Sequence, residues 1–470
     1  MVFSSTDFLF LFLPVFLLAY FLASARAANA VLLVASLAFY AVGEGGFVAL
    51  MLASIGLNWA LGLRIARAAT KARRLWLTTG IVANLGLLGG FKYTGFLANG
   101  VLGLDSSAAA AIHLPLGISF FTFQAISYLV DVHRRDAEAE TSPLRLGTYI
   151  AMFPQLIAGP IVRFASVSEA LRNRTVTLRH FYYAYAFFAL GLASKVLLAD
   201  AVAPMADAVF GADPRALRAD TAALGIAAYT LQIYFDFLGY SAMAIGLGHL
   251  LGFTFPRNFD FPYTARSLTE FWRRWHISLS TWFRDYLYIS LGGNRGPAWR
   301  TYLNLWIVFL LTGLWHGAAW SFIVWGIGHG ALLVAERLGG ARILERLPHP
   351  LAHLYLIVAV ALLWVPFRAD SLEAAGGLIA ALARLDAELV PRAFLTNEAL
   401  LSMALAALLA APHAGRIMDM IVEMPRYGPW PERLKPWRVV AGLAFFSLLA
   451  TASTIKLLSG SYSPFLYFRF

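Results

Sequence analysis

Two histidines in the middle of the chain have the type and surroundings expected of catalytic groups. His316 closes an apolar run at 311–317 (LTGLWHG), and His276 ends a basic, aromatic stretch at 270–276 (EFWRRWH). An ionisable side chain inside an apolar run is costly in a membrane, so His316 indicates a functional site. A neutral imidazole near pH 7 can act as a general base or as a nucleophile. A structural histidine, hydrogen-bonded to a neighbouring helix, explains His316 alone equally well.

The stretch around His276 predicts an amphipathic helix at 272–282 (WRRWHISLSTW) lying at a membrane surface. Tryptophan is typical of that interface, and Arg273 and Arg274 fit phosphate groups of lipids or of a phosphorylated substrate. His276 is then either catalytic or an incidental member of an interfacial helix. Further on, the glycine-rich turn 291–296 (LGGNRG) either binds phosphate through its backbone N–H groups and Arg295 or simply joins two helices.

Two other polar residues in apolar surroundings are candidates. We expect His329, in 325–330 (WGIGHG), to pack against the same core as His316. Asp236 resembles a proton-relay or ion site, but pairing with a buried arginine or tyrosine is the alternative. The sequence has no GxSxG motif, no P-loop and no carboxylate cluster typical of metal binding, so we expect no metal. Cysteine is absent, which excludes a thiolate nucleophile.

The composition predicts the elements that must position these residues. Of the 470 residues 60% are hydrophobic and 13% charged, and the mean hydropathy is +0.67. Such values are typical of a polytopic membrane protein, because soluble domains carry roughly 25% charged residues. We predict an all-α fold of about 11 to 13 transmembrane helices, with re-entrant or broken segments around a central intramembrane site, and one domain over 1–470.

Charge and proline give the predicted topology. The net charge of +11 comes from basic residues in short loops, which favours the positive-inside rule and lipid contact over nucleic-acid binding. Five basic residues at 64–74 place that loop in the cytoplasm, and alternation places 251–300 there too. The segment 149–162 holds two prolines, which predicts a re-entrant or broken segment or, alternatively, a kinked helix. The run 222–250 is too long for one ordinary span and is predicted to be tilted or broken.

A series of motifs in fixed order resembles the bacterial membrane-bound O-acyltransferase family, in particular its alginate O-acetyltransferase branch. The motifs are 153–160 (FPQLIAGP), 258–263 (NFDFPY), 270–280, 282–288 (WFRDYLY), 291–296, 314–317 (LWHG) and 464–470 (PFLYFRF). The chain departs from the branch pattern DFSGYSD at two positions, with Leu238 for serine and Ala242 for aspartate. The resemblance extends over nearly the whole chain.

The resemblance implies an acyltransferase of the bacterial inner membrane whose site lies between helices. His316 matches the family's invariant histidine and His276 its second polar position. The implied donor is acetyl-CoA or a related thioester, bound with the help of Arg273, Arg274 and Arg295, with no permanently bound cofactor. The implied partners are a periplasmic SGNH-type acetyltransferase and an exported polysaccharide.

Two alternatives to this interpretation stay open. One is a related acyltransferase that modifies peptidoglycan or teichoic acid. The other is a secondary transporter, which also uses broken helices and intramembrane polar residues. A transporter of that kind is expected to contain inverted or parallel repeats, and the sequence shows none.

Overall fold

The described part of the protein is built from helices and contains no β-strand. The structure is a computed structural model. It describes residues 2–157, 159–385, 396–422, 433, 435–460 and 466, so the motif at 464–470 lies outside the described residues except for Leu466. The predicted all-α class is confirmed.

The chain divides into two compact units. Unit 1 comprises Met1–Phe188 with Ser241–Pro256, and unit 2 comprises Ala189–Tyr240 with Arg257–Phe470. The single domain expected from the sequence stays a prediction. The helices that begin in unit 1 are α1 (Leu13–Leu22), α2 (Ala28–Glu44), α3 (Val48–Arg67), α4 (Thr70–Lys92), α5 (Ser107–Ala110), α6 (Ile118–Arg134), α7 (Pro143–Ala151), α8 (Phe153–Leu156), α9 (Phe164–Arg172) and α10 (Leu178–Ala193).

The remaining helices begin in unit 2. They are α11 (Asp200–Phe210), α12 (Ala219–Leu250), α13 (Leu268–Arg274), α14 (Ile277–Trp282), α15 (Ala298–His316), α16 (Trp320–Ala335), α17 (Ala341–Arg346), α18 (His349–Arg368), α19 (Leu372–Ala381), α20 (Asn397–Leu409), α21 (Pro412–Val422) and α22 (Pro436–Leu458). Short π-helical turns occur at Phe8–Phe12, Phe96–Val101, Ser194–Ala199, Phe283–Tyr288 and Glu336–Gly340, and 3₁₀ turns at Gly45–Phe47 and Pro262–Thr264.

Five helical stretches among the described residues are long and apolar enough to cross a membrane, or six with the bent pair α20–α21. One of them, Ala28–Arg67, has 40 residues and contains both α2 and α3, whereas a single crossing needs about 20. A polytopic membrane fold is therefore confirmed. The number of such stretches is below the predicted 11 to 13 transmembrane helices, because many of the predicted spans are short, broken or rich in polar residues.

The segment 149–162 is broken, as predicted, and is not a single kinked helix. Helix α7 ends at Ala151, Met152 is non-helical, and the single turn α8 follows. The freed backbone groups have partners, since the Phe153 N–H donates to Ser36 Oγ at 3.1 Å and Tyr149 Oη donates to the Val162 carbonyl at 2.9 Å. Irregular backbone is tolerated at membrane depth where protein satisfies it in this way. That this segment is re-entrant stays a prediction.

Helix α12 is continuous over 32 residues, which removes the alternative of a broken run at 222–250. At about 1.5 Å per residue it is roughly 48 Å long, well beyond a hydrocarbon core of about 30 Å. A helix of that length is either tilted or extends past the hydrocarbon core.

Candidate active site

His316 is positioned by a close crossing of two helices. Helix α15 ends at His316 and α16 begins at Trp320, so the two form a tight helical hairpin. A Cβ on Gly313 would overlap the Phe322 carbonyl, and a Cβ on Gly326 would overlap the Phe309 carbonyl. The absent side chains therefore let the two backbones touch.

The His316 ring lies in an aromatic enclosure. Only 4% of the residue is exposed, and its ring centroid is 5.1 Å from Trp325 and 5.1 Å from Phe367, both edge to face. Trp315 is adjacent at 5.0 Å. Edge-to-face packing of this kind fixes the plane of the imidazole ring.

The prediction of one continuous amphipathic helix at 272–282 is wrong, because two separate helices occupy this stretch. Helix α13 ends at Arg274, Trp275 is extended, and His276 is left-handed at φ 44° and ψ 54° before α14 begins. The break is held from the segment 258–260: the Ile277 N–H donates to the Asn258 carbonyl at 3.0 Å, and the Asp260 N–H donates to the Arg274 carbonyl at 3.0 Å. These long-range bonds replace helical ones, which local sequence does not predict.

The break turns His276 into the interior. The residue is fully buried and does not lie on an exposed helix face. Whether His276 is catalytic or incidental stays open. Its ring meets Phe237 edge to face at 4.6 Å and Trp315 at 6.2 Å. Both ring nitrogens are buried without a hydrogen bond to any described residue. Burial lowers the pKa of His276 to about 3, because an apolar enclosure disfavours the charged imidazolium, so His276 is neutral at physiological pH.

His329 packs against the same core as His316, as predicted. Its ring centroid is 4.7 Å from that of Trp325, the same indole that contacts His316. The Trp272 Nε1–H donates to His329 Nδ1 at 3.2 Å. Nδ1 must therefore be unprotonated, and the neutral ring carries its proton on Nε2. Unlike His276, His329 is oriented by a hydrogen bond.

A cavity of about 460 Å³ opens next to this cluster. Its inner walls include Trp272 and Leu279 from α13 and α14, and Phe309 and Thr312 from α15. His316 follows Thr312 by four positions, so it lies one turn further along the same face of α15. The lining of the cavity on α15 ends at Thr312, on the face that carries His316.

Three arginines line this cavity, and only one of them was predicted from the sequence. They are Arg273, Arg284 and Arg337. Arg274 instead donates to Glu270 Oε1 at 2.8 Å and to Asp260 Oδ2 at 3.3 Å, which fixes the break before His276. Arg295 is exposed and does not belong to the lining. A cationic lining of this kind suits an anionic, phosphorylated ligand.

The glycine-rich turn 291–296 is anchored as a connection. Gly292 and Gly293 have φ of 105° and 57°, conformations that favour glycine. Their N–H groups donate to the carbonyls of Ile289 and Tyr288, and Asn304 Nδ2 donates to the Gly293 carbonyl at 3.0 Å. Because these amides are occupied, the turn offers little to a phosphate in this conformation.

Asp236 is part of a buried ionic triad. Lys195 Nζ is 2.6 Å from Asp200 Oδ1 and 2.8 Å from Asp236 Oδ1, and all three side chains are at most 3% exposed. The second oxygen of Asp236 accepts the Leu466 N–H at 3.0 Å. Asp236 is therefore paired, but its partner is a lysine and neither the arginine nor the tyrosine of the alternative.

Glu336 was missed by the sequence analysis and fixes α13. Its carboxylate accepts the N–H groups of Leu268 at 2.6 Å and Thr269 at 2.9 Å, and it also accepts the Thr269 hydroxyl at 2.6 Å. A carboxylate at the first turn of a helix satisfies free N–H groups and opposes the helix dipole. An acidic residue at the end of the apolar run 320–335 is the only signal the sequence offered.

Comparisons with known proteins agree on one family. Residues 101–365 match the membrane-bound O-acyltransferase family. The whole chain is similar to a probable alginate O-acetylase of Azotobacter vinelandii, at 42% identity over 100% of both chains, and to one of Pseudomonas aeruginosa, at 41% over 100% of both. A peptidoglycan O-acetyltransferase of Helicobacter pylori is 38% identical over 80% of this chain and 78% of its own.

Proposed function

The chain belongs to the membrane-bound O-acyltransferase family and is a membrane O-acetyltransferase, and from this premise we propose that it acetylates an exported, alginate-like polysaccharide. The acetyl group comes from a thioester donor on the cytoplasmic side and passes through the site at His316. The protein is multi-pass, and the bacterial inner membrane is its proposed location.

The position of His316 carries this proposal. It is the buried histidine one helical turn beyond the cavity, on the face of α15 that lines it. A donor bound in the cavity through its anionic part can extend its acyl end along α15 to the imidazole. Acetyl-CoA or a related thioester fits the three lining arginines, because its phosphates are anionic and its arm is narrow.

The chemistry needs one base and no metal. As a general base, His316 takes the proton of the acceptor hydroxyl while the oxygen attacks the thioester carbonyl. The C–O bond forms, the C–S bond breaks, and the proton passes from the imidazole to the leaving thiolate. As the acyl acceptor, an imidazole nitrogen attacks the carbonyl, the C–S bond breaks, and the leaving thiolate takes the N–H proton of the ring. The acceptor oxygen then attacks the acyl-imidazole, the C–N bond breaks, and the hydroxyl proton passes to the imidazole. Incubation with the thioester donor alone separates the two, because only the second route releases a burst of one free thiol per site before any acceptor hydroxyl is present.

The acceptor side needs a partner. A periplasmic SGNH-type acetyltransferase receives the acetyl group and completes its transfer to the polysaccharide. The similarity to a Helicobacter pylori peptidoglycan O-acetyltransferase supports a second candidate polymer, peptidoglycan. Measurement of ester-linked acetate on both polymers from the same cells distinguishes the two candidates.

Substitution of His316 is the direct test. We expect His316→Ala to remain in the membrane at normal abundance and to lower the acetate ester content of the polymer at least about 100-fold, the usual contribution of a catalytic base. Alkaline release of acetate from purified polymer measures this loss. His413→Ala is the matched control, because His413 is exposed on α21. Normal ester content in the His316 variant would contradict the proposal.

A further inference from the structure

Two aromatic side chains form the inner wall of the cavity on the side of His316. Trp272 and Phe309 both line the cavity, and their ring centroids are 5.2 Å apart. Behind them lies Trp325, which is fully buried, 5.8 Å from Trp272 and 5.1 Å from His316. The Trp272 indole therefore separates the arginine-lined space from Trp325, the indole that contacts His316.

His329 holds this indole in place. The Trp272 Nε1–H donates to His329 Nδ1 at 3.2 Å, and the two rings meet edge to face at 5.0 Å. His329 is fully buried, so the bond is shielded from water. Helix α13 is also fixed at its first turn by Glu336. Because hydrogen bonds hold both α13 and the Trp272 Nε1–H, the indole has little freedom to rotate.

We propose that Trp272, positioned by His329, closes the inner end of the cavity and limits the size of the acyl group that reaches His316. The inference rests on the proposed function. An acyl group leaving the cavity must pass between the Trp272 indole and the α15 face that carries Thr312. A held indole leaves room for a small acyl group such as acetyl, whereas a released indole turns and admits longer chains. His329 is thus a positioning residue and forms no bond with the substrate.

Two substitutions of nearly the same shape test the hydrogen bond. Asparagine places an amide oxygen close to where histidine has Nδ1, so His329→Asn can still accept the Trp272 N–H. His329→Leu has the shape of asparagine and accepts nothing. The measured quantity is kcat/KM for butyryl-CoA divided by that for acetyl-CoA. This ratio does not depend on how much of each variant folds.

We expect His329→Leu to raise the butyryl-to-acetyl ratio at least about five-fold and His329→Asn to keep it near the wild-type value. Equal ratios in the two variants would overturn the inference, because the hydrogen bond would then have no part in selection.

A second measurement is independent of enzymatic activity. The chain contains no cysteine, so a cysteine introduced by Phe367→Cys, at a position in contact with His316, is the sole thiol. Its rates of modification by butyl and methyl methanethiosulfonate are compared in the three His329 backgrounds. The butyl-to-methyl ratio should rise in His329→Leu alone. An unchanged ratio in that variant would contradict the proposal that Trp272 closes the cavity. In a second outcome, the wild type transfers no acyl group from CoA while the butyl-to-methyl ratio still rises in His329→Leu. That result would contradict the proposed donor and support the closure of the cavity by Trp272.

Discussion

The three buried histidines of unit 2 differ in what their nitrogens contact. His329 accepts a hydrogen bond from Trp272, whereas neither ring nitrogen of His276 bonds to a described residue. His316 lies at the end of the cavity-lining face of α15. The residue type alone does not separate these roles, because all three are histidines in aromatic surroundings. The hydrogen bonds of the three rings and their distances from the cavity separate these roles.

The depressed pKa of His276 has a consequence for stability. The unfolded chain binds a proton at this residue below about pH 6.5, whereas the folded protein binds it only near pH 3. The contribution of neutral His276 to the free energy of unfolding is therefore fully present above pH 6.5. As the pH drops towards 3, the free energy of unfolding falls by up to about 1.4 kcal/mol per pH unit. We expect the unfolding temperature in detergent to fall more steeply between pH 6.5 and 4 for wild type than for His276→Gln.

The comparison of slopes isolates His276, since both proteins retain His316, His329 and every other titrating group. Identical slopes would mean that His276 takes up its proton over the same pH range in the folded protein as in the unfolded chain, and would contradict the lowered pKa.

At the scale of elements, a π-helical turn assembles the Lys195 triad. The turn Ser194–Ala199 connects α10 to α11 and carries Lys195 just before Asp200, the first residue of α11. A Cβ on Gly239 of α12 would overlap the Gly191 carbonyl, so the backbones approach closely there. π-Turns often mark functional positions in helices, and here the turn brings a cation to two carboxylates from different helices.

Removal of this cation should be costly. Lys195→Met leaves two buried carboxylates without their shared cation, and breaking a buried ion pair in this way costs about 3–5 kcal/mol. We expect a clear fall in the unfolding temperature of Lys195→Met in detergent. The added change Asp236→Asn should restore part of it, because an amide does not need a counter-charge.

Lys195→Met alone is the reference for that rescue. If the double variant is no more stable than Lys195→Met, the charge of Asp236 does not depend on Lys195, and the triad is not the unit described here.

At the scale of the whole molecule, cysteine labelling can test the predicted membrane topology. Basic residues at 64–74 surround the junction of α3 and α4, and the positive-inside rule places them in the cytoplasm. Because the chain has no cysteine, Ala69→Cys is a single labelling site, and Ala69 is exposed. In intact cells we expect a membrane-impermeant thiol reagent not to label it.

Ala216→Cys is the matched control, since Ala216 is also exposed. It lies in the segment 200–220, whose four aspartates against two arginines suit the outer face. It should react in intact cells. Labelling of Ala69→Cys under those conditions would reverse the orientation and, with it, the side on which the donor approaches.

Composition and local pattern by themselves determined the class of the protein and pointed to His316 as a candidate site residue. A chain with 60% hydrophobic residues and repeated apolar runs needs a membrane, and every backbone group in it must then be satisfied within helices. The prolines of 153–160 break a helix wherever they occur, and an ionisable residue in an apolar run is unusual in any fold. For these reasons the broken segment could be predicted without the structure, and the catalytic role of His316 stays a prediction.

Only the tertiary structure decided which other side chains belong to the site. Arg273 and Arg274 are neighbours in sequence, but successive helical residues point about 100° apart, so one lines the cavity and the other pairs with Glu270. Arg284 and Arg337 reach the same cavity from elements far from Arg273 in sequence. His276 is buried because Asn258, 18 positions earlier, replaces the local helical bonds that the pattern predicted. Contacts between distant segments set these positions, and no local sequence signal encodes them.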